Sequence, residues 1–140
     1  RINSSMWYYE NKLYDEAPKE YMGFVYLVTD LNTNRKYIGK KLFWNTRKLK
    51  PLKGKTRRRT QIVESNWKSY YGSNEELQQL VEISNAERFL REILYLCAKK
   101  GIMGYLEARE QFDRNVLLSD EYYNNFIGCK IHGKHVAGLK

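Results

Sequence analysis

The sequence predicts a small α/β (α+β) domain, a short antiparallel sheet flanked by helices. Three stretches predict it: residues 23–40 read strand, turn, strand, and residues 73–84 and 105–114 read as helices. The length of 140 residues suits one domain with a short extension, since domains commonly run ~100–150 residues.

Residues 1–22 hold Trp7, Tyr8, Tyr9, Tyr14 and Tyr21 amid mixed charge, with Pro18. This predicts an irregular N-terminal aromatic arm that packs on the main fold or stacks on bases. GFVYLVTD, residues 23–30, is rich in β-branched and aromatic residues and reads as a strand. LNTNR follows as a turn, because Asn32 and Asn34 tolerate left-handed backbone angles. KYIGK, residues 36–40, completes a hairpin in which Val25 faces away from Phe24 and Tyr26. Residues 42–50 are expected to form a short helix ended by Pro51 and Gly54, and residues 53–59 a basic loop. Ser73 caps the helix SNEELQQLVEIS, and Glu76 completes a capping box. ERFLREILYL, residues 87–96, fits helix or strand by its apolar spacing. Gly101 and Gly104 mark a turn, YLEAREQFDR reads as a helix, and the chain from Ser119 reads as loop.

Composition excludes several classes. Hydrophobic content of 42% argues against general disorder. Two cysteines exclude a disulfide scaffold and suit a reducing compartment, which points to the cytoplasm. No apolar run approaches the ~20 residues of a membrane span, and the opening residues carry no signal-peptide pattern. Arg1 rather than Met opens the chain, which suggests a longer or processed product.

The net charge of +9 is uneven: residues 35–68 carry +12 and the remainder −3. Such a block is extended or faces a polyanion. Nucleic acid leads as partner, since neutralised phosphates release counterions. An anionic membrane lacks support, because the block has no apolar face. A solvated basic loop is the plain alternative. Phosphodiester hydrolysis needs an activated water, charge neutralisation and, often, a metal. Tyrosines and arginines abound near the block, whereas His132 and His135 lie in the tail, and no glycine-rich phosphate loop is present.

Phe24-Val25-Tyr26, ten residues, then Tyr37-Ile38-Gly39 resembles the signature of the GIY-YIG nuclease family, although Gly23 stands one place further upstream than expected. Tyr71-Gly72-Ser73 and Phe89-Leu90-Arg91-Glu92-Ile93-Leu94 are similar to the phage homing-endonuclease branch. The resemblance spans residues 23–125 and implies a three-stranded antiparallel sheet flanked by helices, with residues 88–94 as strand. Residues 126–140 are left as a C-terminal tail. It implies that Tyr26 holds or deprotonates the attacking water, with Tyr37 in support, and that nearby Lys40, Lys41 and Arg47 lower the tyrosine pKa. Arg47, eight residues after Gly39 on the first helix, would bind the scissile phosphate. Glu110, in Arg109-Glu110-Gln111, would hold one Mg2+ or Mn2+ ion, and Asn124, fourteen residues on, would fix the metal shell or its backbone. Gly39 would leave room for phosphate.

The residues also carry plainer meanings. The tyrosines can be cross-strand packing partners, Arg47 a surface cation and Glu110 the helix partner of Arg114. Glu107 competes with Glu110, being three residues earlier. Two departures stand out: after Arg47 only Tyr70 or Tyr71 matches the family's next His or Tyr, and a basic insertion occupies residues around 50–63. Lys48, Lys53, Lys55, Arg57, Arg58 and Arg59, with Lys40 and Lys41, are expected to contact DNA phosphates without reading sequence. Cys129, His132 and His135, with Cys97, could hold zinc, but the spacing is not that of a standard finger. The expectation is a metal-dependent endonuclease on double-stranded DNA, in the host cytoplasm if phage-encoded, with specificity modest or supplied by a partner or fused domain. The rivals are a non-catalytic nucleic-acid-binding module and a structural component of a phage or nucleoprotein assembly.

Overall fold

The computed structural model describes residues 5–140. Residues 1–4 of the arm, with Arg1, lie outside the described residues. The strands are β1 (Trp7–Tyr9), β2 (Lys12–Tyr14), β3 (Gly23–Asp30), β4 (Lys36–Leu42), β5 (Trp44–Leu49), β6 (Arg59–Glu64) and β7 (Phe89–Cys97). The helices are α1 (Glu75–Ile83) and α2 (Lys100–Asp113), with short 3-10 turns at Trp67–Ser69, Ala86–Arg88 and Gly133–Leu139.

The main sheet has five strands in the order β2-β1-β7-β3-β4 and is mixed, because β1 runs parallel to β7. This corrects the three-stranded antiparallel expectation. The predicted strands are present as β3, β4 and β7, and the arm adds two more. Glu10 and Asn11 both have positive φ, 52° and 65°, which is the two-residue hairpin turn that matches strand twist. Each arm strand is only three residues long, too short to show alternation. Trp7 anchors the arm: it is buried, donates Nε1–H to the Trp67 carbonyl at 2.7 Å and meets Phe24 edge-on at 4.9 Å.

Every residue of β3 is buried, because β3 lies between β7 and β4 with both faces covered. Phe24, Tyr26 and Val28 join an aromatic cluster with Trp7, Phe43 and Trp67, while Val25 and Leu27 pack with Ile38, Met103 and Leu106 beneath α2. The predicted alternation is therefore observed. Asn34 takes the left-handed angle (φ 61°) in the β3–β4 turn.

Three local expectations are corrected. Residues 42–50 form no helix: β5 pairs with β6 as a separate two-stranded ribbon, Trp44 opposite Glu64 through Leu49 opposite Arg59. Aromatic and β-branched Phe43, Trp44 and Thr46 favour a strand over a helix, and TQIV supplies the partner. The nine-residue connection is too long for a two-residue hairpin turn and turns instead at Gly54, whose φ is 81°. Asn74, rather than Ser73, caps α1 and accepts the Leu77 N–H at 2.9 Å. Gly101 and Gly104 lie inside α2 rather than in a turn. A Cβ at Gly101 would stand 2.6 Å from the His135 Cβ, so this glycine lets the C-terminal segment lie against the helix.

Candidate active site

β4 is an edge strand, and a cavity of about 220 Å³ wraps round that edge, lined by Tyr26, Tyr37, Lys40, Ser73, Glu107, Gln111, Phe126 and Gly128. Tyr26 and Tyr37 come from one face of the sheet, and Glu107 and Gln111 from α2, which packs on the other. Gly39 explains how the tyrosines fit. It pairs directly with Tyr26, and a Cβ there would fall on the Tyr26 hydroxyl and 2.9 Å from the Tyr37 ring. The space it frees is thus taken by the tyrosines, not left open for phosphate.

The Tyr37 hydroxyl is 2.9 Å from Ser73 Oγ. Burial pushes the Tyr26 phenol well above its ordinary value, with Tyr37, Tyr70 and Glu107 adding to it. Burial also raises Tyr37, although the Ser73 hydrogen bond pulls the other way. The expected lowering by cations is therefore corrected: Lys41 lies over the Tyr70 ring at 4.2 Å, and Arg47 is not in the cavity. Tyr70 packs edge-on to Tyr26 at 6.2 Å, whereas Tyr71 contacts Phe89 and Arg91, which separates the two candidates.

Glu107 is the carboxylate of the cavity. Its side chain is 13% exposed, and Lys40 Nζ stands 3.8 Å away. Burial raises its pKa against the opposing effect of Lys40. One turn further along α2, Gln111 donates Nε2–H to the Ile38 carbonyl at 3.1 Å while its Oε1 is buried without a partner. Asn124 clamps the same residue, accepting the Ile38 N–H at 3.1 Å and donating to its carbonyl at 2.8 Å. It fixes the backbone between Tyr37 and Gly39.

Glu110 is not among the cavity residues. Its oxygens accept the Tyr95 hydroxyl at 2.6 Å and Arg114 Nε at 2.8 Å, and these bonds outweigh burial to lower its pKa. Glu107 and Glu110 differ by about 60° around the helix, enough to put only one of them at the cavity. A sequence signal did exist: Glu110 has Arg114 at i+4, a satisfied surface pair, while Glu107 has Gln111. Arg47 sits exposed on β5, as do Lys48 on β5 and Arg59 on β6. Lys53, Lys55, Arg57 and Arg58 lie in the connection between those strands. Lys40 alone of the expected phosphate-binding cations lines the cavity, and an adjoining groove adds Lys100, Lys130 and His135.

Among the described residues, no three His, Cys, Asp or Glu side chains come together as a metal cluster. Cys97 is buried on β7, and the His132 and His135 Nδ1 atoms accept backbone N–H groups of the tail. No helix among the described residues is long and apolar enough to cross a membrane.

Paired tyrosines on adjoining strands, a carboxylate facing them from a helix and a strongly basic flank define a domain of the nuclease class. The match to known families is specific: residues 7–127 fit the model described as "Putative endonuclease segE, GIY-YIG domain", and the chain belongs to this GIY-YIG family. No curated protein and no solved structure matches it. Membership supports nuclease activity and a nucleic-acid substrate, DNA broadly.

Proposed function

We propose that the protein is a metal-dependent DNA endonuclease, of the phage homing-endonuclease kind, that hydrolyses phosphodiester bonds at the β4-edge cavity. The observation that carries this reading is the convergence of Tyr26, Tyr37, Lys40 and Glu107 on one small cavity. Glu107 fits a single Mg2+ or Mn2+ ion: it is a half-buried carboxylate with one loose partner, and the orphaned Gln111 Oε1 offers a second oxygen to the ion or its waters. Hard cations of this kind take oxygen ligands and retain several waters, so one carboxylate suffices. When bound, the ion supplies charge neutralisation at the phosphate and lowers the pKa of water.

The remaining roles belong to the chain. Tyr26 and Tyr37 are neutral phenols in the free protein, so they hold and orient the attacking water by hydrogen bonding. Ser73 fixes the Tyr37 hydroxyl. Lys40 faces the phosphate oxygens, and Asn124 keeps the Tyr37–Gly39 backbone in register. Water attacks phosphorus, the bond to the leaving sugar oxygen breaks, and one proton of the water ends on that oxygen, leaving a phosphate monoester and a sugar hydroxyl. The test is cleavage of supercoiled plasmid by wild type and Tyr26→Phe, with Mg2+ or with EDTA. Metal-dependent cutting that drops at least ~10²-fold in the variant supports the reading. Equal cutting by the variant, or cutting in EDTA, would sink it.

A further inference from the structure

The β5–β6 ribbon pairs with no strand of the main sheet, and most of its residues are exposed. A two-stranded ribbon is marginal alone, so its root is fastened: Trp44 Nε1 donates to the Pro18 carbonyl at 2.7 Å, and Ser65 Oγ donates to the Leu42 carbonyl at 2.6 Å. The register sorts its side chains onto two faces. Trp44, Thr46 and Ile62 line a cleft of about 350 Å³ against Tyr21, Met22 and Ala98. The opposite face carries exposed Asn45, Arg47, Gln61 and Arg59, with half-buried Val63 and Leu49 at its two ends, since Arg47 pairs with Gln61 and alternate residues share a face. Among the described residues, the side chains of Asn45, Arg47 and Gln61 make no hydrogen bond or ion pair.

We infer that this ribbon enters the major groove of duplex DNA and reads bases with Asn45, Arg47 and Gln61, while the connecting loop grips phosphates. The inference rests on duplex DNA being the substrate, as proposed above. A two-stranded ribbon fits a groove ~12 Å wide, and six residues per strand span ~20 Å. Arginine pairs with guanine, and asparagine or glutamine with adenine, so the face with Asn45, Arg47 and Gln61 carries the side-chain types that discriminate bases. The charge agrees: no acid occurs between Trp44 and Val63, and the loop adds Lys50, Lys53, Lys55, Arg57 and Arg58. Sequence reading would thus reside in this chain, in place of the modest specificity, or the partner or fused domain, expected from sequence.

The test is selection from a randomised duplex library by the intact protein in EDTA, so that binding is read without cutting. Wild type should enrich a motif of a few base pairs. Asn45→Ala/Gln61→Ala should lose at least tenfold enrichment at one or two positions, with the salt dependence kept. Lys53→Ala/Lys55→Ala should keep the motif, bind more weakly on every sequence and lower the salt slope by ~2. These positions are exposed, and thermal melts verify that the variants fold. A flat selection by wild type, an unchanged motif in Asn45→Ala/Gln61→Ala, or preference for RNA over duplex DNA overturns the inference. Plasmid cutting with Mg2+ separates the two claims. Cutting without a motif refutes only the ribbon's role, and a motif without cutting refutes only the endonuclease reading.

Discussion

Arg91 ties the site to the core. It is fully buried on β7, its guanidinium lying 4.0 Å from the Tyr71 ring centroid and 4.7 Å from that of Trp7. Nη1 donates to the Lys68 and Tyr70 carbonyls at 3.0 and 2.7 Å, and Nη2 donates to the Ser5 carbonyl at 2.7 Å. Burial lowers its pKa to about 10, so it stays protonated at neutral pH. Arg91→Met keeps most of the volume and deletes the three donors. Each buried carbonyl left without a partner costs ~1–3 kcal/mol. Water can reach exposed Ser5 and Lys68, and the removed charge no longer needs desolvation, so the sum is discounted to about 3 kcal/mol. That is a large share of a typical ~5–15 kcal/mol. Urea unfolding followed by tryptophan fluorescence reads it, because Trp7 and Trp67 are both buried beside the change. Nicking should fall as well, since Arg91 holds the segment that brings Tyr70 to Tyr26. A loss below about 1 kcal/mol would refute this assignment of bonds and energies.

Two further outcomes follow from the same geometry. Burial alone would raise the Asp30 carboxyl, but hydrogen bonds from Arg88, Tyr123 and the Asn32 N–H hold it well below the usual range. A depressed folded pKa contributes stability that is complete above the unfolded value, ~3.9, and is lost as pH falls toward the folded one. The urea midpoint of wild type should therefore fall more steeply below about pH 4 than that of Asp30→Asn, and parallel curves would count against it. Gly39→Ala forces a Cβ onto the Tyr26 hydroxyl and should cost ~1–3 kcal/mol with loss of nicking. Gly104→Ala meets only the tip of Lys40 at 3.6 Å and should stabilise α2 by ~0.5–1 kcal/mol. Thermal melts of the two variants check the contrast.

What was legible in the sequence followed patterns of fixed period. The β3–β4 hairpin shows alternation and a turn of asparagines, α1 shows an apolar face, and Tyr26, Tyr37 and Asn124 come with the hairpin and its partner segment. The arm strands were too short to carry a period. The ribbon's partners are separated by nine residues rather than a two-residue hairpin turn, so its first strand reads as a helix. Glu107 and Glu110 differ by less than one turn, and only the packing of α2 on the sheet decides which faces the tyrosines. The direction of the tyrosine shifts depends on burial within an aromatic cluster, which no linear spacing reveals.

Glu107, not Glu110, lines the β4-edge cavity. Single-turnover plasmid nicking in Mg2+ by Glu107→Gln and Glu110→Gln separates the roles of the two carboxylates. The expected result is a loss of at least ~10³-fold for Glu107→Gln, as removal of the proposed metal anchor demands, and less than ~10-fold for Glu110→Gln, whose partners lie outside the cavity. The reverse order, or equal rates, would contradict it.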